Sequence, residues 1–132
     1  MDSPSKEPPK RPQILVVDDD PIHLKLFELL ADKLKVDAFL ASSCFEAIDA
    51  IKVHKEFDLI LMDVKMPQVD GFTCTKRIRS LLHSDRHVPI IAVSAEATFD
   101  QEICAEAMLD DYMSKPFTLE ELRDKIIKWL LT

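Results

Sequence analysis

The sequence predicts an α/β domain in which helices cover both faces of a parallel sheet. Three observations point there: short, fully apolar runs rich in β-branched residues, helical patterns spaced regularly between them, and a polar residue closing most runs. Ile14-Leu15-Val16-Val17, Leu59-Ile60-Leu61-Met62 and Val88 to Val93 carry almost no polar side chain, and runs that short suit strands buried on both faces. A helix between two such strands returns to the sheet by a right-handed crossover, so strand–helix alternation specifies parallel neighbours.

Residues 1–12 hold four of the eight prolines among Ser, Lys, Arg and Glu; that composition buries little apolar area and reads as a flexible tail or linker. The domain is expected over residues 13–132, enough chain to bury roughly two-thirds of its unfolded surface in one core. After the first strand, Asp20 precedes Pro21 as an N-cap precedes a first helical residue. The helix that follows should run to about Leu34 and bury Ile22, Leu26, Leu29 and Leu30. Val36 to Ala41 is a weaker second strand. Ser43-Cys44-Phe45-Glu46 has the spacing of a capping box, opening a helix that buries Ala47, Ile48 and Ile51. The third strand, Leu59 to Met62, ends in Asp63. Met66-Pro67 through Asp70-Gly71 carries turn chemistry before a helix using Cys74, Ile78, Leu81 and Leu82. After the Val88 to Val93 strand, a helix near Gln101 to Leu109 leads to a short fifth strand at Tyr112 and Met113. Thr118-Leu119-Glu120-Glu121 then caps a last helix with Leu122, Ile126 and Leu130 inward.

In an open parallel sheet, ligands sit beyond the carboxyl ends of the strands. The residues there are Asp18 and Asp19, Asp63, Ser94 and Lys115. Three carboxylates brought together repel one another unless a cation lies among them. An oxygen-ligated divalent ion, Mg2+, meets that need and is usually completed by a phosphate oxygen. An aspartate can itself accept a phosphoryl group, a transfer that needs mainly positioning and charge neutralisation. Asp20 is read as the cap rather than a ligand.

The net charge of −7 argues against direct nucleic-acid binding and against anionic lipid. No apolar run reaches the ~20 residues of a membrane span and the polar start is unlike a secretory signal, so a soluble, cytoplasmic protein without membrane insertion is expected. Three cysteines, Cys44, Cys74 and Cys104, about thirty residues apart, are expected reduced and buried. The four histidines, His23, His54, His83 and His87, lack ligand spacing and are assigned surface or capping roles. Gly71 is the single glycine, which excludes a Gly-rich phosphate loop. Trp129 is either an exposed anchor or core.

Four motifs together resemble the response-regulator receiver family: Val16-Val17-Asp18-Asp19, Met62-Asp63-Val64-Lys65-Met66-Pro67 through Asp70-Gly71, Ala92-Val93-Ser94-Ala95, and Tyr112-Met113-Ser114-Lys115-Pro116-Phe117. The match runs from about Gln13 to Leu131. The resemblance implies a flavodoxin-like doubly wound sheet of order 2-1-3-4-5 with five helices. It implies Asp63 as phosphoacceptor, with Mg2+ held by Asp18, Asp19, Asp63 and the Lys65 backbone carbonyl. It further implies that Ser94 bonds the phosphoryl group, that Lys115 pairs with it, that Tyr112 changes rotamer in response, and that Lys115-Pro116 is cis. Two positions depart from the pattern: Ser94 stands where threonine is commoner, and Met108 where the family usually has glycine, a place suited to positive φ.

The expected function is a phospho-accepting receiver of a two-component or phosphorelay system. It takes a phosphoryl group from a histidine kinase or histidine phosphotransfer protein and signals through the face of its fourth helix, fifth strand and fifth helix. It is not a conventional enzyme, although it promotes its own phosphorylation and dephosphorylation. The alternative is a pseudo-receiver that binds partners without phosphorylation; Asp18, Asp19, Asp63 and Lys115 argue against it. A phosphohydrolase working through an aspartyl phosphate would carry a second aspartate where Lys65 stands. Met1 favours a stand-alone regulator, while the Pro-rich segment and the Met-Asp-Val-x-Met-Pro loop favour part of a hybrid kinase. Lys65 and Glu96 are expected to pair across the mouth of the site and lengthen the phosphoryl lifetime.

Overall fold

Residues 13 to 17 show how one strand serves two cores. In β1 (Gln13–Val17) side chains alternate between faces, so Ile14 and Val16 join one buried cluster while Leu15 and Val17 join the other. The same division runs through β3 (Leu59–Asp63), where Leu59 and Leu61 face one way and Ile60 and Met62 the other. Strands covered on both faces must be apolar at every position, which is why these segments read as continuous runs.

The computed structural model of the chain describes residues 11–53, 56–82, 86–95 and 101–130. With β2 (Asp37–Ala41), β4 (Ile90–Ser94) and β5 (Asp111–Ser114), the strands form one parallel sheet in the order β2-β1-β3-β4-β5. The expected fold and strand order are therefore observed. Between and after the strands lie α1 (Pro21–Leu34), α2 (Cys44–Val53), α3 (Gly71–Leu81), α4 (Gln101–Glu106) and α5 (Leu119–Leu130). Residues of α1 and α5 cover the face of Ile14, Val16 and Met113; residues of α2, α3 and α4 cover the face of Leu15, Met62 and Ala92. The chain leaves β1 for one edge, returns to β3 and continues toward the other, so the order reverses between β1 and β3. That reversal opens a crevice at their carboxyl ends.

The helix signals hold locally. The Asp20 carboxylate accepts the Ile22 N–H at 2.9 Å, and Asp70 caps α3 by accepting from Thr73 at 2.8 Å. Ser43 and Thr118 hydroxyls accept the N–H groups of Glu46 and Glu121, each at 3.1 Å. Several burial expectations fail. In α1 the buried residues are Phe27 and Ala31, whereas Ile22, Leu26 and Leu29 are 76%, 45% and 56% exposed. The core line of α1 runs about one residue beyond the expected stripe, because Leu26-Phe27 and Leu29-Leu30-Ala31 offer adjacent apolar residues that fit either of two neighbouring stripes. The fourth strand starts at Ile90 rather than Val88, and α4 ends at Glu106 rather than near Leu109.

The cysteine expectation is also corrected. Cys44 and Cys74 form a disulfide between α2 and α3, with Cα atoms 5.6 Å apart, while Cys104 is buried and lies outside it. Spacing along the chain could not reveal this, since helices α2 and α3 meet only once the sheet is assembled. Met108 adopts φ 63°, the left-handed conformation that glycine enters most easily.

Candidate functional site

Adjacent parallel strands β1 and β3 pair Val17 with Met62, so the residues that follow, Asp18 and Asp63, emerge side by side. Asp18 is 1% exposed and Asp63 7%. Asp18, Asp19 and Asp63 each offer a carboxylate oxygen, and these oxygens all lie within 4.8 Å of one another. Lys115, from the loop after β5, places its Nζ 2.9 Å from Asp18 Oδ2 and 3.7 Å from Asp63 Oδ1. The Lys115 ammonium thus bridges Asp18 and Asp63. Burial, and next the charge of Asp18, push the Asp63 carboxyl up from 3.8 to about 6, with Lys115 opposing. An excess of negative charge on a set of oxygen donors fits a hard divalent cation such as Mg2+; Asp18, Asp19 and Asp63 are the side chains that would hold it.

Local structure fixes these groups. The Asp18 Oδ1 accepts the Asp20 N–H at 2.9 Å, and the Asp18 N–H donates to Ala41 at the end of β2. The loop after Asp63 is pressed onto the start of α3. The Gly71 N–H donates to the Val64 carbonyl at 2.8 Å, and a Cβ at Gly71 would fall 2.7 Å from the Val64 Cα and 2.9 Å from the Asp63 carbonyl carbon. Only glycine allows that approach. Thr75, fully buried, returns a hydroxyl hydrogen bond to the Gly71 carbonyl at 2.7 Å.

Ser94 ends β4, is 2% exposed, and its carbonyl accepts the Lys115 N–H at 2.8 Å. Tyr112 lies outward on β5, 38% exposed, with the Lys125 ammonium 5.8 Å from its ring centre. Lys65 is exposed on the loop that follows Asp63. Glu96, its expected partner, lies outside the described residues, as do His54 and His83. The Lys115-Pro116 peptide is cis.

Two polar side chains with tertiary partners, one beside the site and one at the far end of β5, are not apparent from the sequence. His23, assigned a surface or capping role, places Nδ1 3.1 Å from Asp18 Oδ2 and 3.0 Å from Lys115 Nζ, beside a cavity of about 350 Å3 lined by Leu26, Phe27, Lys115 and Phe117. Its position in the first turn after the Asp20 cap is a usable signal, because that turn faces the rim. Asp111 opens β5 and is 9% exposed. It accepts from Trp129 Nε1 at 2.8 Å and from Lys125 Nζ at 2.9 Å, which fastens α5 to the sheet and shows Trp129 to be a half-buried anchor.

Comparison with known proteins agrees with this geometry. Residues 14–127 match the family model described as response regulator receiver domain. The sensor histidine kinase GacS of Pseudomonas protegens is 33% identical over 91% of this chain, and the kinase BarA of Shigella flexneri 36% identical over 88%. The chain spans only 13% and 12% of those proteins. Among solved structures, the receiver domain of a sensor histidine kinase of Pseudomonas aeruginosa, crystallised with magnesium ion in its active-site cleft, superposes with TM-score 0.81 at 32% identity. The match covers 92% of this chain and 99% of that one. The chemotaxis protein CheY4 of Vibrio cholerae shares the fold at TM-score 0.81 and 23% identity, covering 91% and 99% of the two chains. With the acidic rim, the strand order and a family match over most of its length, this chain belongs to the response regulator receiver domains.

Proposed function

We propose that the chain accepts a phosphoryl group on Asp63 from a phosphohistidine carried by a histidine kinase or histidine phosphotransfer protein, with Mg2+ as cofactor. The observation that carries this reading is the position of Asp63, a buried carboxylate whose oxygen shares a 4.8 Å cluster with Asp18 and Asp19 and has an ammonium 3.7 Å away. In the transfer, an Asp63 oxygen forms the new bond to phosphorus, the phosphorus–nitrogen bond breaks, and the released imidazole takes up a proton. Bound Mg2+ supplies positive charge against the phosphoryl oxygens. Asp18, Asp19 and Asp63 would hold the ion, assisted by the Lys65 carbonyl. Lys115 turns from Asp18 to the phosphoryl oxygens, and Ser94 donates its hydroxyl to them. Such a transfer needs little covalent chemistry from the protein beyond placement and neutralisation.

Residues 13–132 act as the receiver domain and residues 1–12 as its tail or linker, within the cytoplasm, where the kinases that phosphorylate histidine find ATP. The donor covers the exposed Ile22, Leu26 and Leu29 of α1, of which Leu26 lines the cavity shared with His23 and Lys115. Output runs through α4, β5 and α5: inward movement of Ser94 frees space for Tyr112, so a small displacement biases a two-state surface. Lys65 and Glu96 shield the phosphoryl group from water.

The test is incubation with a small acyl-phosphate donor with and without Mg2+. The expected product carries one base-labile phosphoryl group, formed only with Mg2+ and lost entirely in Asp63→Asn, because asparagine keeps the shape and removes the nucleophile. Full phosphorylation of Asp63→Asn refutes the acceptor assignment, and none in the parent chain favours the pseudo-receiver.

A further inference from the structure

We propose that Cys44 and Cys74 are a redox-modification site: a peroxide closes their cross-link, a dithiol reopens it, and the two forms accept a phosphoryl group on Asp63 at different rates. The last clause rests on the function proposed above. Both sulfurs belong to helix starts that border the acidic rim. Cys44 is the first residue of α2, which follows β2, and the carbonyl of Ala41 at the end of β2 accepts the Asp18 N–H at 3.0 Å. Cys74 lies in the opening turns of α3, its N–H donating to Asp70 at 2.9 Å. Val64 and Met66 of the acceptor loop lie in the same buried cluster as both cysteines. The cross-link therefore joins the helix that follows Ala41, the backbone partner of Asp18, to the helix that follows Asp63.

Cα atoms 5.6 Å apart need no backbone movement to be bridged. Cys44 and Cys74 are 2% and 0% exposed, but Cys44 is flanked by exposed Phe45, with exposed Ser42 two residues before it. Opening of one helical turn, the least stable part of a helix, admits a water-sized oxidant. In a compartment that keeps thiols reduced, a cross-link of this kind is transient and responsive rather than a permanent staple.

The chemistry balances. One thiolate attacks the peroxide, the O–O bond breaks, and a sulfenic acid and water form. The second thiolate attacks the sulfenic sulfur, making the S–S bond and releasing a second water. Two thiols and one peroxide thus give one disulfide and two waters. Reopening transfers the disulfide to the added dithiol by exchange.

The experiment compares the full chain treated with dithiothreitol and with hydrogen peroxide. Peroxide should leave one titratable thiol of the three cysteines, lower the intact mass by two hydrogens, and raise Tm by on the order of 10 °C, since the bond restricts the unfolded chain. Phosphorylation from a small acyl-phosphate donor should differ about threefold between the oxidised and reduced forms and return to the reduced-form rate after dithiothreitol. Cys44→Ser and, should that chain fold poorly, Cys74→Ala should show neither the Tm rise nor the rate change. Three thiols surviving peroxide, the same two-hydrogen loss in either variant, or equal rates in both forms would overturn the proposal. Absence of phosphorylation in both forms refutes the acceptor reading and with it the rate clause, while thiol count and Tm still decide whether the cross-link responds.

Discussion

Asp63 and Asp111 are the same residue type at nearly the same exposure, 7% and 9%, yet their acidities move in opposite directions. Asp63 ends β3 and is pushed up to about 6 by burial and by Asp18. At Asp111, which opens β5, burial also raises the value, but hydrogen bonds from Trp129, Lys125 and the Tyr112 N–H outweigh it and hold the carboxyl below 3.8. Around Asp111 two lysines and an indole converge on one carboxylate. Around Asp63 the Lys115 ammonium lies closer to Asp18 than to Asp63. A carboxylate that folding has satisfied fastens one element to another; one left under-compensated retains its free energy for a ligand.

The largest contrast should appear on removing the satisfied charge. Asp111→Asn leaves Lys125 and Lys128 facing a neutral amide, and breaking one side of a buried, hydrogen-bonded pair should cost about 2–3 kcal/mol of stability, read by urea unfolding with Trp129 fluorescence. Because the folded value is lowered, this contribution is present above pH 3.8 and is lost as pH falls through the lower folded value. Equal stability of parent and variant at pH 7 would show that Asp111 is as indifferent to its charge as a surface residue.

The opposite sign is expected at the rim. Without divalent cation, Asp63→Asn should stabilise the chain at pH 7 by about 1–2 kcal/mol, after allowance for water reaching one side of the carboxylate. The raised folded value means the stability from Asp63 is fully present below pH 3.8 and lost as pH rises through about 6. The gap between parent and variant should therefore widen from pH 4 to pH 7 and narrow when Mg2+ is added, since binding to the native state stabilises only the chain that retains its ligand. Thermal unfolding at several pH values, with and without Mg2+, measures both. A variant less stable than the parent at pH 7 would break the comparison.

What the sequence made legible follows the same division. The strands were readable because burial on both faces forces apolarity at every position, and Asp18, Asp63, Ser94 and Lys115 followed as the residues ending them. Order β2-β1-β3-β4-β5 needed the family resemblance, since alternation alone permits several parallel orders. Asp111 was missed because its partners lie on α5, 14 and 18 residues away, and pairing of that kind has no local period. The Cys44–Cys74 bond was missed for the same reason at a separation of 30. His23 was legible in principle: the Asp20 cap fixes the first turn, and the third residue after a cap on a helix leaving the rim stays beside it.

The smallest effect tests how the fold tolerates a residue out of character. Met108 stands at φ 63° after α4, where a side chain crowds the following carbonyl by about 1–2 kcal/mol relative to the ordinary helical region. Its own carbonyl accepts a hydrogen bond from Arg79 Nε at 3.1 Å, and Arg79 also pairs with Asp110 at 2.6 Å, so the strained turn is held from α3. The side chain is 50% exposed, which limits what is lost by deleting it. Relief of strain is partly offset by the greater freedom of glycine in the unfolded chain. Met108→Gly should therefore raise stability by about 0.5–1 kcal/mol, measured as a higher urea midpoint at unchanged m-value. Met108→Ala, which keeps the Cβ and its crowding, should gain nothing. Equal gains in both variants would trace the effect to the exposed thioether chain rather than to the backbone, and the left-handed turn would then be no source of strain.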